Sequence, residues 1–185
     1  MSRLVYYISA SLDGYAADAD GNFDWGAPTE DLHAAINDDV RGVGAYLEGR
    51  RMYEMMTGWE NDPSWAAGSA ASAEFAELWT TAEKIVFSRT LAEPVTSRTR
   101  IERELSPGVI ERLRDEIDGD LAIAGPTVAC QALELGLVDV VALRLCPVMV
   151  GGGLSVFPDS RVDLVLRHER HWPNGHVQLT YDVRR

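Results

Sequence analysis

Short apolar runs alternate with segments of helical spacing through residue 150, after which the pattern changes to strands alone. Residues 3–9 are rich in β-branched and aromatic side chains and predict a buried first strand. A long irregular stretch, 11–25, follows, with turn signals at Asp13-Gly14 and Asp20-Gly21. A loop of that length in a compact domain marks a functional cover, and Phe23 and Trp25 would dock it on an apolar surface. Thr29 then caps a helix that sets Leu32, Ile36 and Val40 on one face. A strand at 43–47 leads into a helix from Arg50 to about Thr57. Residues 58–72 read as a loop packed by Trp59 and Trp65, and 74–82 as a helix.

Strands are expected at 84–88 and, more exposed, at 97–103. Ser106-Pro107 opens a helix whose apolar face is Val109, Ile110, Leu113 and Ile117. A strand at 121–124, a helix at 127–135 and a long apolar strand at 138–150 come next, the last closed by Gly151-Gly152-Gly153. The tail, 176–183, alternates with period two and reads as an antiparallel edge strand. This order predicts one α/β domain over 1–185, with a mainly parallel sheet, antiparallel C-terminal additions and helices on both faces.

Composition narrows the partners. A formal charge of −12 sets the chain against nucleic acid and anionic membranes. No apolar run approaches the roughly 18 residues of a membrane span. The start lacks a signal-peptide pattern, so a cytoplasmic protein with a small-molecule substrate is expected. Cys130 and Cys146 read as small core residues. His168, His171 and His176 match no metal-ligand spacing, and no metal is expected.

In so acidic a chain, cations at strand ends stand out. Gly49-Arg50-Arg51-Met52 follows one apolar strand, Ser88-Arg89-Thr90 a second, and Gly125-Pro126-Thr127 a third. A turn that bares backbone N–H groups at a helix start receives phosphate well. Three such turns at strand ends suggest one large anionic ligand lying across them.

The order of these signals resembles the dihydrofolate reductase fold, in the branch of the C-terminal reductase domain of the bacterial riboflavin-synthesis enzyme RibD. The carriers are Ser11-Leu12-Asp13-Gly14-Tyr15, Gly49-Arg50-Arg51-Met52-Tyr53, Lys84-Ile85-Val86-Phe87-Ser88-Arg89, Gly125-Pro126-Thr127, and Gly136-Leu137-Val138-Asp139 leading to Pro147-Val148-Met149-Val150-Gly151-Gly152-Gly153. The resemblance covers essentially the whole chain and implies NADPH as cofactor. Gly49, Arg50 and Arg51 would then meet its phosphates, and Ser88 and Arg89 its 2′-phosphate. Gly125, Pro126, Thr127 and Val128 would hold the pyrophosphate, with the nicotinamide near Ala10. A family carboxylate at the start of the helix after the loop maps to Asp31, or to Glu30 one residue earlier. Asp13 is the other pocket carboxylate, and Trp25 the pocket aromatic. The implied activity is an NADPH-dependent reduction of a flat pterin- or pyrimidine-like heterocycle, with a riboflavin-pathway intermediate among the candidates, by a homodimer. The alternative is an NADP-binding module with little or no turnover.

Overall fold

The computed structural model describes residues 2–184. Its strands are β1 (Leu4–Ser11), β2 (Tyr15–Ala17), β3 (Val43–Gly49), β4 (Glu83–Phe87), β5 (Thr99–Glu102), β6 (Asp120–Ala124), β7 (Val140–Cys146), β8 (Leu154–Ser155), β9 (Leu164–His171) and β10 (Val177–Val183). The helices are α1 (Glu30–Val40), α2 (Arg50–Met56), α3 (Gly58–Asn61), α4 (Pro63–Ala66), α5 (Ala70–Thr81), α6 (Pro107–Glu116) and α7 (Pro126–Glu134). One eight-stranded sheet runs in the order β5-β4-β3-β6-β1-β7-β10-β9. The first six in that order are parallel; β10 and β9 are antiparallel.

Successive side chains of a strand point to opposite faces, so each apolar strand feeds two cores. Leu4 and Tyr6 of β1, Leu47 of β3 and Leu121 and Ile123 of β6 pack with Ile110 and Leu113 of α6 and Ala129 and Ala132 of α7. On the other face Tyr46, Val86 and Ala122 meet Val40 of α1, Tyr53 of α2 and Phe75 and Trp79 of α5. Each fully buried large side chain contributes about 1.5–3 kcal/mol, and both faces are covered, as a parallel sheet requires.

The structure corrects the sequence expectations at several places. The tail strand β10 is not the edge: it lies between β7 and β9. The edge on that side, opposite β5, is β9, a strand absent from the sequence reading, and it exposes Leu164, Val165 and Leu166. Neither β7 nor β10 therefore offers an edge for self-association. The apolar run 138–150 is a strand only to Cys146, where Pro147 removes the next ladder donor. In 58–72 two single-turn helices replace the loop, and α5 begins at Ala70 because Ser69 Oγ accepts from Ser72 N at 3.1 Å. Among the described residues no helix is long and apolar enough to cross a membrane.

Candidate functional site

The chain leaving β3 leads to β4 on one side of it, while the chain leaving β6 passes through α7 to β7 on the other. The carboxyl ends of β3 and β6 therefore flank a topological switch point, the crevice where open α/β sheets receive ligands. Both turns there are glycines, and each accommodates the opposite helix. A Cβ at Gly49 would sit 2.9 Å from Val128 Cγ2, and one at Gly125 would sit 3.2 Å from Met52 Cβ. Gly125 has φ 88° and ψ 120°, a backbone that side-chain-bearing residues avoid, and Pro126 follows as the first residue of α7. The amides at the start of α7 have no intrahelical acceptor, so this end suits an anion. A cradle a Cβ would fill, opening onto a helix start, fits a pyrophosphate.

The basic turn beside it is held rigidly. Ser88 Oγ accepts from the Thr90 and Leu91 amides at 3.2 and 2.9 Å. Arg103 Nη1 donates to the Ser88 and Leu91 carbonyls, both at 3.0 Å. Arg50 is engaged: its Nε donates to Glu54 at 2.7 Å and its Nη1 to Thr90 Oγ1 at 3.1 Å, tying α2 to the turn. Arg51 and Arg89 are exposed and form no ion pair among the described residues. They are the unspent cations of the three turns.

Under α1 the sheet carries a row of polar side chains, tied to Asp39 of that helix. Ser9 of β1, Arg144 of β7 and Gln178 of β10 align across the sheet. Trp25 Nε1 and both ring nitrogens of His176 are buried without a hydrogen-bond partner among the described residues. Half-buried His33 of α1 stands against Trp59 and Phe75, with ring centroids 5.9 and 5.6 Å away. Burial, then the Arg144 charge, hold it below the ordinary imidazole value, so it is neutral at pH 7. An open cleft of about 360 Å³ lined by Val43, Gly44 and Arg98 lies at the opposite, amino ends of the strands.

The profile of the RibD C-terminal domain matches residues 3–178. The chain belongs to that family. It is 25% identical over 185 residues to YyaP of Bacillus subtilis (strain 168), itself uncharacterised, covering 97% of this chain and 94% of YyaP. Among solved structures it is similar to a protein of Shewanella sp. PV-4 ascribed to riboflavin biosynthesis, at TM-score 0.79 and 22% identity with 100% of both chains covered. A pyrimidine reductase-like protein of Corynebacterium diphtheriae matches at TM-score 0.70 and 17% identity, over 100% of this chain and 92% of that one. The Thermotoga maritima diaminohydroxyphosphoribosylaminopyrimidine deaminase/5-amino-6-(5-phosphoribosylamino)uracil reductase matches at TM-score 0.66 and 17% identity; 98% of this chain spans 56% of it. The fold is that of the dihydrofolate reductase-like RibD reductase domains.

Within this RibD C-terminal domain the two acid candidates take structural positions. Asp13 accepts from the Val150 and Gly151 amides at 3.1 and 2.7 Å. A bond from Ser11, first, and these amides hold its carboxylate below the usual range. It staples the start of the 11–25 segment to the loop after β7. With β2 paired to β8, that segment's first half is a fixed rim rather than a free cover. Asp31 is exposed and accepts from the Thr29 hydroxyl, which lowers its pKa. Neither carboxylate holds a proton to donate at neutral pH. Trp25 lies in a 3-10 turn, Asp24–Gly26, that packs beside β1. Ala10 is fully buried near the carboxyl end of β1, between β6 and β7. Arg103, Arg144, Gln178 and His33 were not among the residues expected in the site, and His176 was weighed only as a metal ligand. Only a lone charge inside the apolar run Val140–Cys146 signalled Arg144.

Proposed function

We propose that this RibD C-terminal domain protein is an NADPH-dependent reductase acting on a small flat heterocycle. The observation that carries it is the switch point, where two glycine turns close on each other beside the unpaired Arg51 and Arg89. Gly125, Pro126, Thr127 and Val128 would hold the pyrophosphate at the start of α7. Gly49, Arg50 and Arg51 would border it, and Ser88 and Arg89 would meet the 2′-phosphate with hydroxyl and guanidinium donors. When bound, the nicotinamide supplies a hydride. The chain itself orients the acceptor under α1 beside Trp25 and keeps water out through the rim stapled by Asp13. Reductase activity in the C. diphtheriae and T. maritima names supports the same reading. We assign self-association to β9, whose apolar residues are exposed, and the working compartment to the cytoplasm.

Arg89→Ala is expected to weaken NADPH binding about tenfold, as the loss of a charged hydrogen bond does, with little effect on NADH, whereas Arg51→Ala weakens both nucleotides by about that factor. Calorimetry with both nucleotides checks this; equal losses for the two in Arg89→Ala would remove it from the 2′-phosphate site, and parental affinities in Arg51→Ala would remove that residue from the phosphate cradle. A module that binds NADP without turnover is the second reading, favoured by the exposure of Asp31. Under the reductase reading, Asp31→Asn leaves turnover within about twofold, since an exposed pair with Thr29 contributes little. Steady-state oxidation of NADPH with pyrimidine and pterin acceptors tests it, and a large loss of turnover would restore Asp31 as the acid.

A further inference from the structure

A buried positive charge lies under α1 without a carboxylate of its own. Arg144 is only 6% exposed, so its guanidinium has been drawn almost wholly out of water. Its Nε donates to Gln178 Oε1 at 3.3 Å. Among the described residues nothing accepts from its terminal nitrogens, and it forms no ion pair. The acid beside it, Asp39 of α1, is already engaged: Arg170 Nη2 and, at 2.9 Å, Gln178 Nε2 both donate to Asp39 Oδ2. Arg170 also donates to Gln178 Oε1 at 3.1 Å and stacks on Trp172, 5.0 Å from the ring centroid.

Two guanidinium groups thus share one carboxylate. The other titratable neighbours do not change the count. Tyr7, whose hydroxyl donates to the Asp39 carbonyl, and Cys146 are driven further toward their neutral forms by burial, and His33 is neutral. A net charge of one is left uncompensated, an arrangement that is costly unless an anion completes it. The second observation is the row one step further along the strands. Cys146 and His176 adjoin the Leu145–Val177 pair there, and the buried nitrogens of His176 and Trp25 Nε1 have no partner among the described residues.

We propose that Arg144 is a specificity-determining residue that binds a carboxylate borne directly on the acceptor's ring. A carboxylate is planar and matches the guanidinium fork in two parallel bonds. It also carries a single charge, which the network's net charge balances; a phosphate monoester, at about −1.5 to −2, would exceed it. The word acceptor rests on the reductase reading above. The charge argument does not.

The test is calorimetry and thermal melting with aromatic carboxylates paired with their amides: uracil-6-carboxylate, nicotinate and benzoate against the carboxamides. They are run on the parent, Arg144→Met and Arg144→Lys, with NADPH titrated separately. In the parent at least one carboxylate binds more than about tenfold tighter than its amide, the effect of a charged bidentate bond. Arg144→Met loses that preference, and Arg144→Lys retains part of it. The Met variant melts no lower than the parent, because it removes an uncompensated charge. No carboxylate preferred over its amide overturns the proposal, as does an unchanged preference in Arg144→Met or a preference for phenyl phosphate over benzoate. If NADPH fails to bind while the carboxylate preference depends on Arg144, the reductase reading falls and this site stands. If NADPH binds and the preference is absent, the site falls alone.

Discussion

Replacing Gly125 with Val is expected to weaken NADPH binding by more than about a hundredfold, a loss of about 2.7 kcal/mol. Two independent features require glycine there. The backbone sits at φ 88°, ψ 120°, and a Cβ would lie 3.2 Å from Met52 Cβ of α2. Forcing a β-branched residue into such a conformation costs about 1–3 kcal/mol even before contacts are counted. The chain relieves that strain by turning the peptide at the start of α7, which moves the amides that would face the pyrophosphate. Melting should fall by roughly 2–4 °C for each kcal/mol in a domain of this size. Gly125→Ala separates the effects: it keeps the strained backbone with less bulk and should retain measurable binding. Calorimetry on the folded variants reads both. Parental affinity in Gly125→Val would remove this turn from the cofactor site.

The second large effect concerns stability. Glu48 lies on β3, one residue before Gly49, and is 1% exposed; neither carboxylate oxygen has a hydrogen-bond partner among the described residues. Burial pushes its pKa up to about 8, against a downward pull from the Trp79 indole and Lys84. The sign follows from proton counting. Between the ordinary value of 4.5 and about 8 the folded protein holds a proton that the unfolded chain has released. Glu48 therefore favours folding fully below 4.5, and that contribution is lost as pH rises toward 8, at up to about 1.4 kcal/mol per pH unit. Glu48→Gln carries no such titration. Its stability relative to the parent should rise by at least about 2 kcal/mol between pH 5 and pH 8. Urea denaturation of both proteins at the two pH values checks this, and parallel pH dependence would show Glu48 to be solvated.

The parallel strands were readable because each is a short apolar run closed by a turn, and the Gly125 turn because Pro126 and a helical pattern follow a fully apolar strand. β9 was not readable. Leu164, Val165 and Leu166 run in succession and charged residues follow, so no alternation marks it; an edge strand exposed on both faces has none to show. The single turns α3 and α4 are too short for periodicity to register. In the site, Arg51 and Arg89 were visible as cations in an acidic chain. Arg50 looked equivalent, yet its neighbour four residues on, Glu54, takes its charge. Arg144 and Glu48 were hidden for the opposite reason. Each is a lone charge in an apolar run, and only strand register and the packing of α1 and α5 disclose what surrounds it. Asp31 looked like a pocket acid because it opens α1, but the helix turns it outward to Thr29.

The most direct measurement is a calorimetric titration of the unmodified protein with NADPH, run in parallel with NADH. The switch-point cradle with its unpaired Arg51 and Arg89 requires micromolar NADPH binding and NADH binding at least about tenfold weaker, the share of one charged contact to the 2′-phosphate. Absence of binding by either nucleotide would contradict the assignment of this crevice to a reduced dinucleotide.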